Sequence, residues 1–537
     1  MDGPICAFNG QNIFFKPFSG RENMKKASGI KRNRLSRYAF SKNVLIIMMV
    51  AIMGVMMAPG MSRAENIPLN LDGIYKAKAD DGSKIYLYRY APYTTGTPQF
   101  RTSGTPVLIF TGICMNMNQY LSCTPPGMAD VYSDVYVPPV SSAPAWALNA
   151  DGTDYEPYIK DDRMRYYSLA HYLWLQGYDA WFANYRGAGH DPVASDGTNP
   201  NGITTLDTWA TQDVPAAIAK VKSVTGKRMF IGGHSTGGLV SYEYLQGAYM
   251  DYGRWTPEWF KEYYYKSCYA FGYMPHVKAS ASLAMTRNAD IKGLIGLDPA
   301  GVPWLPADVL DRPLFWGLVG SRLYLPLDAM SKYLIQLFPD KTLLVGVMDT
   351  FLGLINDNAG SDGTLGELLA YLNFWKTDDM DPCMEDWMLR YSIGGATIRG
   401  FGQYMDMGLH YTLREHYKNG AENYLTTFEG PTPDPGRDGY YYYDENVSRM
   451  TVPLIVFSSS AGALVAPEET DAFIISRKTP TAYDQWYVVG GTAHVDVAMG
   501  NRLPTAVFPN LGNWLKTVDA LPANPPSTAT PASRNDI

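Results

Sequence analysis

Ser235 stands in Gly233-His234-Ser235-Thr236-Gly237, directly after the apolar run Met229-Phe230-Ile231. A serine hydroxyl is a weak nucleophile until a neighbouring base takes its proton. Glycines on both sides let a strand bend sharply into a helix, which lifts the hydroxyl clear of the backbone. The chemistry implied is attack on a carbonyl carbon through an acyl-enzyme. The chain has seven histidines, at 171, 190, 234, 276, 410, 416 and 494. His494, in Gly490-Gly491-Thr492-Ala493-His494-Val495-Asp496, follows the last apolar run and completes the chain order serine, acid, histidine. His234 adjoins the serine and is read as facing the wrong way around the turn. The orienting acid has three candidates. Asp298 ends Ile291-Lys292-Gly293-Leu294-Ile295-Gly296-Leu297, at a strand edge where open α/β sheets carry their ligands. Glu468 and Glu469 are the alternatives. The oxyanion needs two N–H donors, expected at Thr236 and at Ile113 in the loop after Gly112.

These residues must be positioned by a sheet. Lys84 to Tyr90 alternates apolar and polar side chains, as an early hairpin does. Val107 to Phe110, the serine run, Ile291 to Leu297 and Leu454 to Phe457 are continuous apolar stretches, as expected of strands buried on both faces of a parallel sheet. Helical periods at Tyr167–Gln176, Thr204–Ser223 and Leu239–Tyr249 separate them, giving an α/β alternation. Residues 113–160, broken by paired prolines, read as loop. Between 301 and 445 the alternation stops, and long apolar helical stretches such as Leu318–Phe338 and Thr342–Ile355 take over. The expected architecture is a mostly parallel central sheet flanked by helices, with a large, mainly helical cap inserted between late core strands.

Ser235, His494 and Asn184-Tyr185-Arg186-Gly187-Ala188-Gly189 together resemble the α/β-hydrolase fold. Thr208-Trp209, the run Asp213 to Ile218, and Tyr441 to Val447 are similar to the acid (gastric and lysosomal) lipase branch. The likeness spans roughly residues 105–515 and is patchy in 113–160 and across the cap. It implies a cofactor-free serine hydrolase of lipase or esterase type acting on an ester or lipid small molecule, with transient lipid-interface contact through the cap. One position departs from that family. Ala463 stands where an aspartate is expected after the strand ending at Ser458. Asp298, in a setting that resembles the acid-bearing strand end of pancreatic-type lipases, is the favoured replacement, with Glu468 and Glu469 as the alternatives. The runner-up functions are a short-chain or non-lipid carboxylesterase and a non-catalytic hydrolase-fold protein that binds an apolar ligand through its cap. Leu314 to Val319 and Leu334 to Phe338 are the apolar runs expected above the serine.

Basic residues from Lys25 to Lys42, the uncharged run Val44–Ala58 and small residues at Ser62 and Ala64 describe a signal peptide cut after Ala64. Export to the periplasm or the exterior after that cut is expected, with an uncleaved membrane tether as the alternative. Residues 1–64 hold ten of the 45 basic and two of the 52 acidic residues, which leaves 35 against 50 in the mature part. An acidic chain is a poor partner for nucleic acid, whose binding rests on phosphate neutralisation. Four cysteines follow the cut, and Cys114–Cys123 is the favoured bridge because it closes a short loop. Their spacing fits no zinc site. The segments expected are a signal peptide over 1–64, core over 65–300, helical cap over 301–445, core over 446–520 and a disordered Pro/Ala/Ser/Thr-rich tail over 521–537.

Overall fold

The apolar runs become buried strands. In the computed structural model, Pro106–Phe110 (β3), Asp179–Ala183 (β4), Met229–Ser235 (β5) and Leu454–Ser459 (β11) are buried along their whole length. The residues described are 67–537, except 68, 93–96, 197–203, 252–275, 303–323, 326, 359–374, 377, 417–439, 463, 524 and 529. The basic flank, the Val44–Ala58 run and the Ala64 cleavage site lie outside the described residues, as do Cys268 and Ala463.

The remaining main-sheet strands are Ile74–Lys78 (β1), Lys84–Arg89 (β2), Ile291–Pro299 (β8), Gln485–Val489 (β12) and Arg534–Asp536 (β13). Their spatial order is β1-β2-β4-β3-β5-β8-β11-β12-β13. The pairs β1/β2 and β2/β4 are antiparallel, and every later pair is parallel. This is an α/β-hydrolase fold. Two small antiparallel pairs lie outside the main sheet: Ala248–Asp251 (β6) with His276–Ala279 (β7), and Tyr324–Leu325 (β9) with Ala396–Thr397 (β10). A parallel sheet buries both faces, so its strands carry little polarity to mark them. One apolar cluster includes Leu108, Phe110, Ile231, Leu239 and Val456. The other includes Val107, Ile109, Phe230, Ile295 and Phe457. The alternation of cluster membership along β3 and β5 is the two-residue period of a strand.

Helices Leu169–Leu175 (α1), Val214–Thr225 (α2), Thr236–Leu245 (α3) and Ala281–Asp290 (α4) connect the strands. Gly177 at φ +88° and Gly226 at φ +67° follow α1 and α2 in the left-handed conformation that stops a helix. The single helix expected over Thr204–Ser223 is instead interrupted, with a π-helical turn at Trp209–Asp213 before α2. The stretch 113–160, expected as loop, carries short helical turns at Met117–Tyr120 and Pro157–Asp161.

Strands β8 and β11 are neighbours in space, yet the chain between them is an insertion. Its described parts are mainly helical: Leu327–Leu337 (α5), Lys341–Asn358 (α6), a helix over Pro382–Trp387 that runs into a π-helical turn at Met388–Ser392, and Ile398–His410 (α7). After it, Phe508–Asp519 (α8) packs Trp514 and Leu515 into the core. The tail expected to be disordered is different. Arg534–Asp536 pairs with Trp486–Val488, and Gly490 donates its N–H to the Ile537 carbonyl at 2.7 Å. Its side chains are exposed, so composition says nothing of it. The open N–H and C=O groups of the β12 edge are what it satisfies.

Candidate active site

Ser235 closes β5 and precedes α3, at φ 55° and ψ −127°. That is a left-handed conformation a non-glycine residue adopts only when its surroundings impose it, at a cost of about 1–3 kcal/mol. The surroundings are the end of β3. A Cβ on Gly233 would lie 2.4 Å from the Phe110 carbonyl oxygen, and one on Gly237 would lie 2.6 Å from the same atom. The elbow therefore closes only with glycine at both places. Gly112 is also tight, though less so, since a Cβ there would lie 3.0 Å from the Ser235 Cβ.

Asp298 is fully buried at the end of β8, also at positive φ (+42°). His494 Nδ1 lies 2.7 Å from Asp298 Oδ2. The Ser459 N–H donates to Asp298 Oδ1 at 2.7 Å, and the Ser459 hydroxyl donates to Oδ2 at 2.8 Å. An ionised carboxylate accepts all three bonds, which puts the His494 proton on Nδ1 and leaves Nε2 with its lone pair. That Nε2 is buried and has no hydrogen-bond partner among the described residues. Of the alternative acids, Glu468 pairs with Arg534 on the surface, and Glu469 hydrogen-bonds Tyr411. Neither hydrogen-bonds His494 among the described residues.

Two residues at this end carry roles their sequence positions did not signal. Ser459, the last residue of β11, binds the acid from the strand that the family resemblance expected to bear it. His234 does not simply face away. Its Nε2 lies 3.0 Å from the His494 carbonyl oxygen, and the two rings stand 4.6 Å apart. Burial, with the neighbouring His494 adding to it, holds His234 well below the ordinary imidazole range, so it is neutral and donates through Nε2. The contact spans 260 positions, which no local pattern reveals.

The oxyanion side is built differently. Thr236 opens α3, and the first N–H groups of a helix have no acceptor within it. The Ile113 N–H, expected to be the second donor, is engaged by the Thr236 Oγ1 at 2.7 Å. The loop beyond it is held by the insertion. Asn116 donates its N–H to Ser392 O at 2.9 Å and its Nδ2 to Tyr391 O at 2.8 Å. Gly394 donates to Cys114 O at 2.8 Å. From the core, Asn184 Oδ1 accepts the Met117 N–H at 2.8 Å.

A buried acid sits beneath the histidine turn. Asp496 accepts the Ala493 N–H at 2.7 Å and the Lys376 N–H of the insertion at 3.1 Å. Burial raises its carboxyl to about 8 against those donors, and Asp379 adds to the rise. No group of three or more His, Cys, Asp or Glu side chains able to hold a metal ion occurs among the described residues.

One expectation is corrected. Cys114 and Cys123 are free thiols, not a bridge. Cys114 turns the oxyanion loop at φ 67°, a helical turn separates it from Cys123, and burial pushes both thiols up to about 12. In the apolar run Leu334–Phe338, expected above the serine, the described side chains divide. Ile335 and Phe338 pack against the core cluster that includes Trp387, and Leu337 is exposed. Leu314–Val319 lies outside the described residues.

Residues 160–253, which contain the elbow, match the model of the serine aminopeptidase S33 family. No curated protein matches the chain. Among solved structures it is similar to a monoglyceride lipase from Saccharomyces cerevisiae, solved as a soluble variant with a substrate analog, at 14% identity over 86% of this chain and 99% of that one, with a TM-score of 0.39. A thermophilic esterase from Thermogutta terrifontis matches at 14% identity over 83% and 98%, TM-score 0.37. An esterase from Exiguobacterium antarcticum matches at 12% identity over 83% and 99%, TM-score 0.35.

Proposed function

We propose that this chain is an exported serine ester hydrolase of lipase type. Ser235 attacks the ester carbonyl, and His494 Nε2 takes the hydroxyl proton. The imidazolium formed is held by Asp298, and it returns the proton to the departing alkoxide. Water, activated by the same nitrogen, then releases the acyl group from Ser235. No cofactor takes part. The single observation that carries this reading is the buried Asp298–His494 hydrogen bond, which leaves an imidazole lone pair without a protein partner at the serine elbow.

A lipase type, with transient contact at a lipid interface, is supported by Tyr333 and Leu337 on α5 and Leu343 on α6, which are large apolar side chains exposed on the insertion. They lie on two successive helices of the insertion, and exposed large apolar side chains suit contact with an apolar surface. Two further readings remain in the test. The family match over the elbow favours amide hydrolysis at a peptide N-terminus. A chain length limit would make the protein a short-chain esterase.

A fluorophosphonate probe should label Ser235 in the folded protein and fail on Ser235→Ala. Turnover of p-nitrophenyl esters should rise from acetate toward the longer acyl chains. Absence of labelling overturns the enzyme reading. Preference for acetate selects the esterase, and preference for aminoacyl-p-nitroanilides selects the peptidase.

A further inference from the structure

We propose that the side-chain hydroxyl of Thr236 is a direct donor to the oxyanion, with the Ile113 N–H acting through it and not on the substrate. The inference rests on the ester-hydrolase reading of this site. Thr236 is fully buried, and its Oγ1 accepts the Ile113 N–H at 2.7 Å. A hydroxyl has one proton to give as well as lone pairs to accept with. Among the described residues the one hydrogen bond of this hydroxyl is the one it accepts, although a buried hydroxyl proton normally finds an acceptor.

The position suits the role. Thr236 follows the nucleophile directly, so its backbone N–H and its hydroxyl belong to one residue at the first turn of α3. Gly112, next before Ile113, lies against the Ser235 Cβ, and Gly237, next after Thr236, lies against the carbonyls of Phe110 and Thr111. The hydroxyl is thus fixed between the loop after β3 and the elbow. An N–H donated to its oxygen polarises the O–H bond and strengthens it as a donor. When the Ser235 oxygen adds to the ester carbon, the C=O π pair moves onto the carbonyl oxygen. That oxygen then accepts from the Thr236 N–H and the Thr236 O–H. No proton is transferred in this contact.

Thr236→Val removes the hydroxyl while keeping shape and the backbone N–H, and it tests the assignment with a difference of sign. If the hydroxyl donates, kcat falls on the order of 10²–10³-fold with KM nearly unchanged. If Ile113 is itself the donor and the hydroxyl only occupies it, the same variant releases that N–H, and kcat is kept or rises. Thr236→Ser, which restores the hydroxyl, should recover most of the activity. The Ki of a trifluoromethyl ketone, whose serine adduct carries an oxyanion, should weaken in Thr236→Val by the factor lost from kcat/KM. Thermal melting of both variants checks that the fold is intact. An active wild type with an undiminished Thr236→Val overturns this assignment alone. A wild type that neither reacts with fluorophosphonate nor hydrolyses esters overturns the reading beneath it as well.

Discussion

The two ends of the site are anchored in different parts of the chain. At the acid–base end Asp298, Ser459, His494 and His234 come from the ends of β8, β11, β12 and β5, and they bond to one another. At the oxyanion end, the loop after β3 takes its shape from backbone groups of residues 391–394 in the insertion. The contacts among these four residues come from core strands and the loop after β12, while Asp496 beneath the histidine turn also accepts the Lys376 N–H of the insertion. The loop after β3 is thus bonded to the insertion through Asn116 and Cys114. The insertion is then part of the frame of the candidate site.

Perturbing each end should separate these dependencies. Asp298→Asn is the largest expected effect: kcat should fall on the order of 10⁴-fold, by analogy with the serine-protease acid, with little change in Tm. Full turnover by that variant would remove the acid–base end as drawn. Asn116→Ala acts at the other end, taking donors from the Tyr391 and Ile393 carbonyls. It should lower both stability, by about 1–3 kcal/mol, and turnover, since buried hydrogen bonds and loop geometry are lost together. Denaturant melts beside steady-state rates would show it, and an unchanged rate would mean that the loop needs no hold from the insertion.

The smallest effect concerns Asp496, which links the ends by accepting N–H groups from Ala493 and Lys376. A carboxyl raised to about 8 by burial favours its neutral form in the folded protein. Its contribution to stability is complete below the unfolded carboxylate range, near pH 4, and is lost as pH climbs through about 8. The charged groups bearing on it are Asp379, itself raised to about 6, and Lys376. Wild-type Tm should decline from pH 5 to pH 8.5 more steeply than that of Asp496→Asn. Parallel curves would place the titration elsewhere.

The sequence announces the sheet and the elbow because each is a local pattern. Buried strands are short apolar runs, and the turn at Ser235 needs glycine at 233 and 237. Asp298 is legible for a similar reason, as a lone acid at the end of such a run. What stays hidden is tertiary pairing. Ser459 binding Asp298, His234 holding the His494 carbonyl and Asn116 reaching the insertion all join residues more than 150 positions apart. The edge strand after Ser533 is hidden differently, since it is held by backbone pairing and carries no apolar signature. The expected Cys114–Cys123 bridge fails because closeness along the chain says nothing about where a left-handed turn aims a side chain.

Three of the four described non-glycine residues at positive φ are Cys114, Ser235 and Asp298, all in or beside the site. Glycine would sit more easily at each of them. A laboratory selection that rewards heat resistance alone should therefore be drawn to these codons, trading chemistry for backbone ease at 235 and 298. Any evolution campaign on this scaffold has to score turnover in every round, or it will breed sturdier proteins with nothing left to do.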